Sequence, residues 1–158
     1  KNSYRATIIM RLALFEPDIP QNTGAILRLA VCMDVAVDVI EPCGFIWSDR
    51  HMRRSGMDYL ERVDLTRHAS WEAYREGRQG RLILLTTKGA QTYTSFAFQM
   101  NDTLLLGRES AGVPDHVHSC ADARIRVTMR KGERALNVAL TAAMVLGEGL
   151  RQTNIFPD

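Results

Sequence analysis

Six short runs rich in leucine and β-branched residues limit what this chain can fold into. They fall at Thr7–Phe15, Ala36–Ile40, Arg62–Leu65, Leu82–Thr86, Thr103–Leu106 and Arg124–Thr128, and most are almost continuously apolar. A strand with one wet face alternates polar and apolar residues, whereas a continuous run suits a strand covered on both faces. Helical patterns lie between the runs. Asn22 is placed to cap a helix reaching about Met33, with Ile26, Leu29, Ala30 and Met33 on one face. Ser70 is placed to cap a shorter helix carrying Trp71 and Tyr74, and Asn137 to cap the longest, NVALTAAMVLGEGLRQT. Strands alternating with helices predict an α/β domain: a mostly parallel sheet with helices on both faces. No repeat or linker divides residues 1–158, so one domain is expected. Gly147 and Gly149 sit inside the last helix, each at a cost of about 1 kcal/mol relative to alanine. Either they are simply tolerated or another element packs closely there.

Charge narrows the function classes. A net charge of +2, with 24% charged residues, is too mild to mark a nucleic-acid binder, so any such activity must come from a local patch. No run approaches the roughly 18 apolar residues that a membrane span needs. Arg11 interrupts the apolar stretch near the N-terminus, against a secretory segment. Cys32, Cys43 and Cys120 form no C-x-x-C pair, which argues against a disulfide framework or a zinc site and suits a reducing cytoplasm. His116 and His118 follow Pro114, which favours a turn or helix over the extended geometry a metal pair would use, and no metal is expected.

Three loops carry the chemistry. In EPDIPQNTGAILRLA, two prolines hold an extended entry, then Asn22 and Gly24 open a helix bearing Arg28 on its first or second turn. A helix start offers unpaired N–H groups, and a guanidinium adds a planar fork suited to phosphate. In LLLGRESAGVP, a buried strand runs into Gly107, Arg108, Glu109 and Gly112, and Pro114 can start a short helix. In RVTMRKGERALNVA, a strand leaves through a basic loop into the Asn137 cap. Each loop alone is as well explained by an ordinary turn or cap.

In this order, the three segments resemble the motifs of the SPOUT class of RNA methyltransferases: N-x-G-x-x-x-R, then G-x-E-x-x-G-[VIL]-P, then a loop ending S-L-N-V. FEPDIPQNTG, IEPCGFIWSDRHMRRSGMDY and LLTTKG further resemble the minimal members that methylate the ribose 2′-oxygen of the tRNA wobble nucleotide, C or U. The resemblance implies a catalytic domain without a separate RNA-binding domain, and a C-terminal segment threaded into a trefoil knot. It also implies a homodimer whose active site is completed across the interface, with S-adenosyl-L-methionine bound in the knot.

Carried over residue by residue, the resemblance makes Leu85, Thr87, Gly89, Gly107, Val127, Ala135 and Leu136 cofactor contacts, held largely through main chain that glycines leave accessible. Ala135 stands where the family usually has serine, so a hydroxyl is missing there. Arg28 matches the family's arginine. A guanidinium stays charged at neutral pH, so this arginine grips phosphate and stabilises the developing oxyanion rather than acting as a base. Asn22, Glu109 and Asn137 complete the site, the last two as groups that hold its loops together. Arg50, His51, Arg53 and Arg54 would meet RNA phosphates, with Tyr59 as an aromatic platform for an unstacked anticodon-loop base and Arg130 and Lys131 extending the basic surface. Two alternatives stay open: the same reaction at another tRNA or ribosomal RNA position, and a non-catalytic RNA-binding protein of the same fold.

Overall fold

The computed structural model describes residues 10–54 and 57–158. Its order is β1 (Arg11–Phe15), α1 (Pro20–Met33), β2 (Ala36–Ile40), α2 (Asp49–Arg54), β3 (Leu65–His68), α3 (Trp71–Gly77), β4 (Leu82–Leu85), β5 (Gln91–Thr92), β6 (Thr103–Leu106), α4 (Asp115–Cys120), β7 (Ala123–Arg126) and α5 (Val138–Thr153). The strands form one sheet in the order β3-β2-β1-β6-β4-β7-β5, and every pairing is parallel.

Continuous apolar strands become two cores. Leu12, Leu14, Ile83, Leu104 and Leu106 face α1 and α5, joined by Ile26, Leu27, Val145 and Leu146. Ala13, Phe15, Leu82, Leu84 and Leu105 face the other way, against Trp71 and Tyr74 of α3 and Val117 of α4. Both faces of the sheet are therefore covered, as the runs require. Burying each such leucine or isoleucine contributes about 1.5–3 kcal/mol.

The boundaries differ from expectation in instructive places. The first run begins as a strand at Arg11, and its residues 7–9 lie outside the described residues. The expected strand at Arg62–Leu65 is displaced to Leu65–His68, because Leu60–Arg62 forms a 3₁₀ turn. This edge strand is held by polar partners as much as by apolar contact. Arg67 pairs with Glu41, and His68 Nε2 lies 2.8 Å from Asp38 Oδ1. The runs at Leu82–Thr86 and Arg124–Thr128 end earlier, at Leu85 and Arg126. The short strand β5 and the helix α2 were not expected.

Asn22 does not cap α1. The helix starts at Pro20, whose missing N–H and fixed φ suit a first helical position, and Ile19 precedes it without a side-chain cap. Ser70 does cap α3, accepting from Ala73 N at 3.1 Å. The two glycines of α5 differ. A Cβ at Gly149 would fall 2.7 Å from Met10 Sδ, so this glycine seats the helix on the core, whereas nothing lies within 4 Å of one at Gly147.

One buried ion pair fastens the entrances of two central strands. Asp102, fully buried, accepts from Arg81 Nε and Nη2 at 2.8 Å each and from Gln99 N at 2.8 Å. Among the described residues, no helix is long and apolar enough to cross a membrane, and no cluster of His, Cys, Asp and Glu could hold a metal ion.

Candidate active site

Because β6, β4 and β7 lie side by side, the loops leaving their carboxyl ends converge, which is where open α/β sheets bind ligands. They enclose a cavity of about 320 Å³. β4 contributes Leu85, followed by Thr86 and Thr87; β6 contributes Leu106, followed by Gly107, Arg108 and Glu109. Past β7 come Val127 and Met129, and the start of α5 adds Ala135, Leu136, Asn137 and Thr141. The lining is mostly apolar with a few convergent polar groups, the usual make-up of a small-molecule site.

The glycines act mainly on their own backbone. A Cβ at Gly107 would fall 2.7 Å from the carbonyl carbon of Gly112. Their absent side chains let the loop close through two bonds, Arg108 N to Gly112 O at 3.0 Å and Gly112 N to Arg108 O at 2.8 Å. Gly112 has φ 64°, the left-handed region that favours glycine. Gly89 lies on the loop beside the cavity rather than on its lining. A Cβ there would sit 2.6 Å from Ile125 C, so Gly89 lets the loop after β4 pass against β7. Arg126 Nη1 donates to its carbonyl at 3.0 Å and holds it there.

Two side-chain links tie the N-terminal third of the chain to this cavity. Asn137 Oδ1 accepts from Ala139 N and Leu140 N, capping α5, while its Nδ2 donates to Asn22 Oδ1 at 2.9 Å. Glu109 and Asp18 clasp each other: Asp18 N donates to Glu109 Oε2 at 3.4 Å, and Glu109 N to Asp18 Oδ1 at 3.3 Å. The Ser110 hydroxyl also donates to Asp18. Burial, then the side-chain interaction with the Asp18 carboxyl, pushes the Glu109 carboxyl up, and the same side-chain interaction is the main cause holding Asp18 down. The opposite directions mean that, of the two, Glu109 takes up a proton first as the pH falls. Asp18 escaped the sequence reading. Its only signal was an acidic residue held between Pro17 and Pro20.

Arg28 is not at this cavity. Because α1 starts at Pro20, Arg28 lies on its third turn and faces a separate groove, exposed, with its guanidinium 5.7 Å from the centre of the Tyr59 ring. Tyr59 is not an open stacking platform. It is 5% exposed, and its hydroxyl donates to Gly24 O at 2.6 Å. A Cβ at Gly24 would fall 2.4 Å from the end of the Met57 side chain, so this glycine leaves room for Met57. Arg50, His51, Arg53 and Arg54 stand exposed on α2, with Arg53 paired to Glu61 at 3.1 Å. Arg130 and Lys131 are exposed on the loop after β7.

The sequence matches the SpoU rRNA Methylase family over residues 9–147. A relative from Beijerinckia indica, named tRNA (cytidine(34)-2′-O)-methyltransferase, is 58% identical over 146 residues, covering 89% of this chain and 90% of its own. A solved structure described as giving structural insights into the 2-OH methylation of C/U34 on tRNA superposes with a TM-score of 0.85 at 32% identity, covering 92% of this chain and 97% of that one. The SpoU methyltransferase AviRb from Streptomyces viridochromogenes, solved in complex with AdoMet, shares the fold at a TM-score of 0.77 and 23% identity, covering 95% and 62%.

Proposed function

Because this chain belongs to the SpoU rRNA Methylase family, we propose that it methylates the ribose 2′-oxygen of the wobble nucleotide, C or U, in the tRNA anticodon loop, with S-adenosyl-L-methionine as donor. The observation that carries this reading is the 58% identity, over nearly the whole length of both chains, to a relative named for that reaction. The work falls in the cytoplasm, where the tRNA is.

The cavity suits the donor. Leu85, Val127 and Leu136 offer apolar walls, and Thr87, Gly107 and Ala135 present main chain around them. The donor supplies an electrophilic methyl carried on a sulfonium. The protein's part is to hold the acceptor ribose in line and to stabilise the oxygen as its proton leaves. Asn137 and Glu109 keep two of the cavity's walls in place, the first by binding α5 to α1 through Asn22, the second by its clasp with Asp18. Ala135 brings no hydroxyl, so ribose orientation rests on other groups.

Arg28 fits a site shared between two copies. It faces away from its own chain's cavity, while Leu140 and Met144 of α5 are 58% and 43% exposed, an apolar strip suited to a homodimer. A second copy's Arg28 would then grip phosphate beside this cavity. The trefoil threading belongs to the same reading and rests on the family membership.

The test is methylation of an anticodon stem-loop with labelled donor, followed by mapping. Label on the 2′-oxygen of nucleotide 34 is expected; label elsewhere, or none, would sink the assignment. Arg28→Lys keeps the charge and loses the fork, so turnover should fall on the order of 100-fold with donor binding intact. Wild-type turnover in that variant would remove Arg28 from the site.

A further inference from the structure

A second concavity, about 890 Å³, opens between α1 and residues of 45–52 and 57–59. Its base is apolar, made by Met52 and Met57, with Phe45 and Ile46 as one wall and Arg28 and His51 at the rim. We propose that this groove receives the unstacked base of the nucleotide to be methylated, and that Ile46 is the wedge that takes the base's place in the anticodon-loop stack. The inference rests on the tRNA reading above and adds a base-binding site to it.

The geometry of Ile46 is the first support. It is 89% exposed, yet its neighbours hold it firmly. Phe45 and Trp47 stack on each other, with centres 6.2 Å apart and planes at 24°. Trp47 Nε1 donates to Asp49 Oδ1 at 3.1 Å, and the Arg67 guanidinium lies 5.2 Å from the Trp47 ring. A large apolar side chain fixed at a solvent-facing tip marks a contact surface. Apolar side chains pushed between base steps are a known means of unstacking nucleic acid.

Charge chooses the occupant. Arg28 stands at the rim, and Arg50 and Arg54 are exposed on α2, the helix that supplies His51 and Met52 to the groove. A polyanion with an apolar base face complements this pairing of cations and methionines; an apolar peptide segment leaves the cations unmatched. Methionine adapts its shape to what it touches, which suits a pocket that accepts either pyrimidine. Arg28 at the groove's rim serves the second copy's cavity in the shared site described above, so the groove adjoins that cavity. A nucleotide can therefore present its base to one copy and its ribose to the other.

The experiment uses the full chain and an anticodon stem-loop carrying pyrrolocytidine, a fluorescent cytidine analogue, at position 34, read by fluorescence and by binding. Wild-type protein should brighten the probe as the base leaves the stack. Ile46→Ala, at a position too exposed to affect folding, should weaken binding about tenfold and abolish the brightening, while the thermal shift caused by the methyl donor stays unchanged. Brightening that survives Ile46→Ala, or wild-type binding without brightening, overturns the groove and leaves the tRNA reading standing. If Ile46→Ala instead changes the sedimentation of the protein, a second copy covers the groove and the proposal is wrong. Donor binding with no affinity for the stem-loop would overturn both readings.

Discussion

Asp102→Ala should cost about 3 kcal/mol of folding stability, measured by denaturant unfolding. That is the low end of the range for removing one partner of a buried ion pair. Asp102 is fully buried and receives three hydrogen bonds, two from Arg81 and one from the backbone of Gln99. The low end applies because the Arg81 side chain is 31% exposed, so the stranded guanidinium recovers some water. Its bond to Ala97 O at 2.9 Å and its position 5.1 Å from the Phe96 ring centre would then be made by a charge with no counterion. Asp102→Asn keeps an acceptor for the Gln99 N–H or for one arm of Arg81 and should lose less. A loss below about 1 kcal/mol in the alanine variant, the level of an exposed pair, would mean that the strand entrances are held by packing alone.

Gly107→Ala should weaken donor binding about tenfold or more, at a cost of the size that overpacking brings. The new methyl would meet the Gly112 backbone at 2.7–2.8 Å, and backbone cannot step aside as a flexible side chain can. The loop carrying Arg108 and Glu109 has to open, which breaks the Arg108–Gly112 bridge and loosens the clasp on Asp18. Isothermal calorimetry with donor would show the loss. Gly77→Ala is the comparison, since a Cβ at Gly77 meets nothing within 4 Å; it should leave donor binding unaltered. Equal affinities for wild type and Gly107→Ala would mean that the loop yields freely and that its closed form does not shape the cavity.

Much of the sheet is legible in the sequence because burial on two faces writes itself as uninterrupted apolar runs. β2, β4 and β6 are read nearly residue for residue. β3 is not, because Arg67 and His68 hold it by side-chain pairing, and a polar edge looks like a loop. α2 is invisible for a related reason. It has six residues and buries only Met52, too little to show a helical stripe. The burial of Tyr59 could not be foreseen either: its hydroxyl meets the carbonyl of Gly24, 35 residues earlier.

The site shows the same division. Its three loops could be picked out one at a time, but their meeting depends on β4 lying between β6 and β7, and periodicity carries no strand order. Only the family resemblance brought Leu85, Gly107 and Leu136 to one place. That resemblance also set Arg28 beside them, whereas the fold of a single chain turns it toward the groove. The glycines were foreseen as openings for a ligand. At Gly107 and Gly89 their first duty is contact between stretches of the protein's own backbone.

The place of β7 governs when the molecule can be finished. It settles between β4 and β5, both of which leave the ribosome well before it, and among the described residues β5 has no other neighbour in the sheet. Until residues 123–126 emerge, the gap beside β4 stays unfilled and β5 has nothing to pair with. Such distant partners make for slow closure. A nascent chain stalled ahead of that point would carry most of its strands and no pocket, so ligand occupancy reports that the chain has emerged through Thr141.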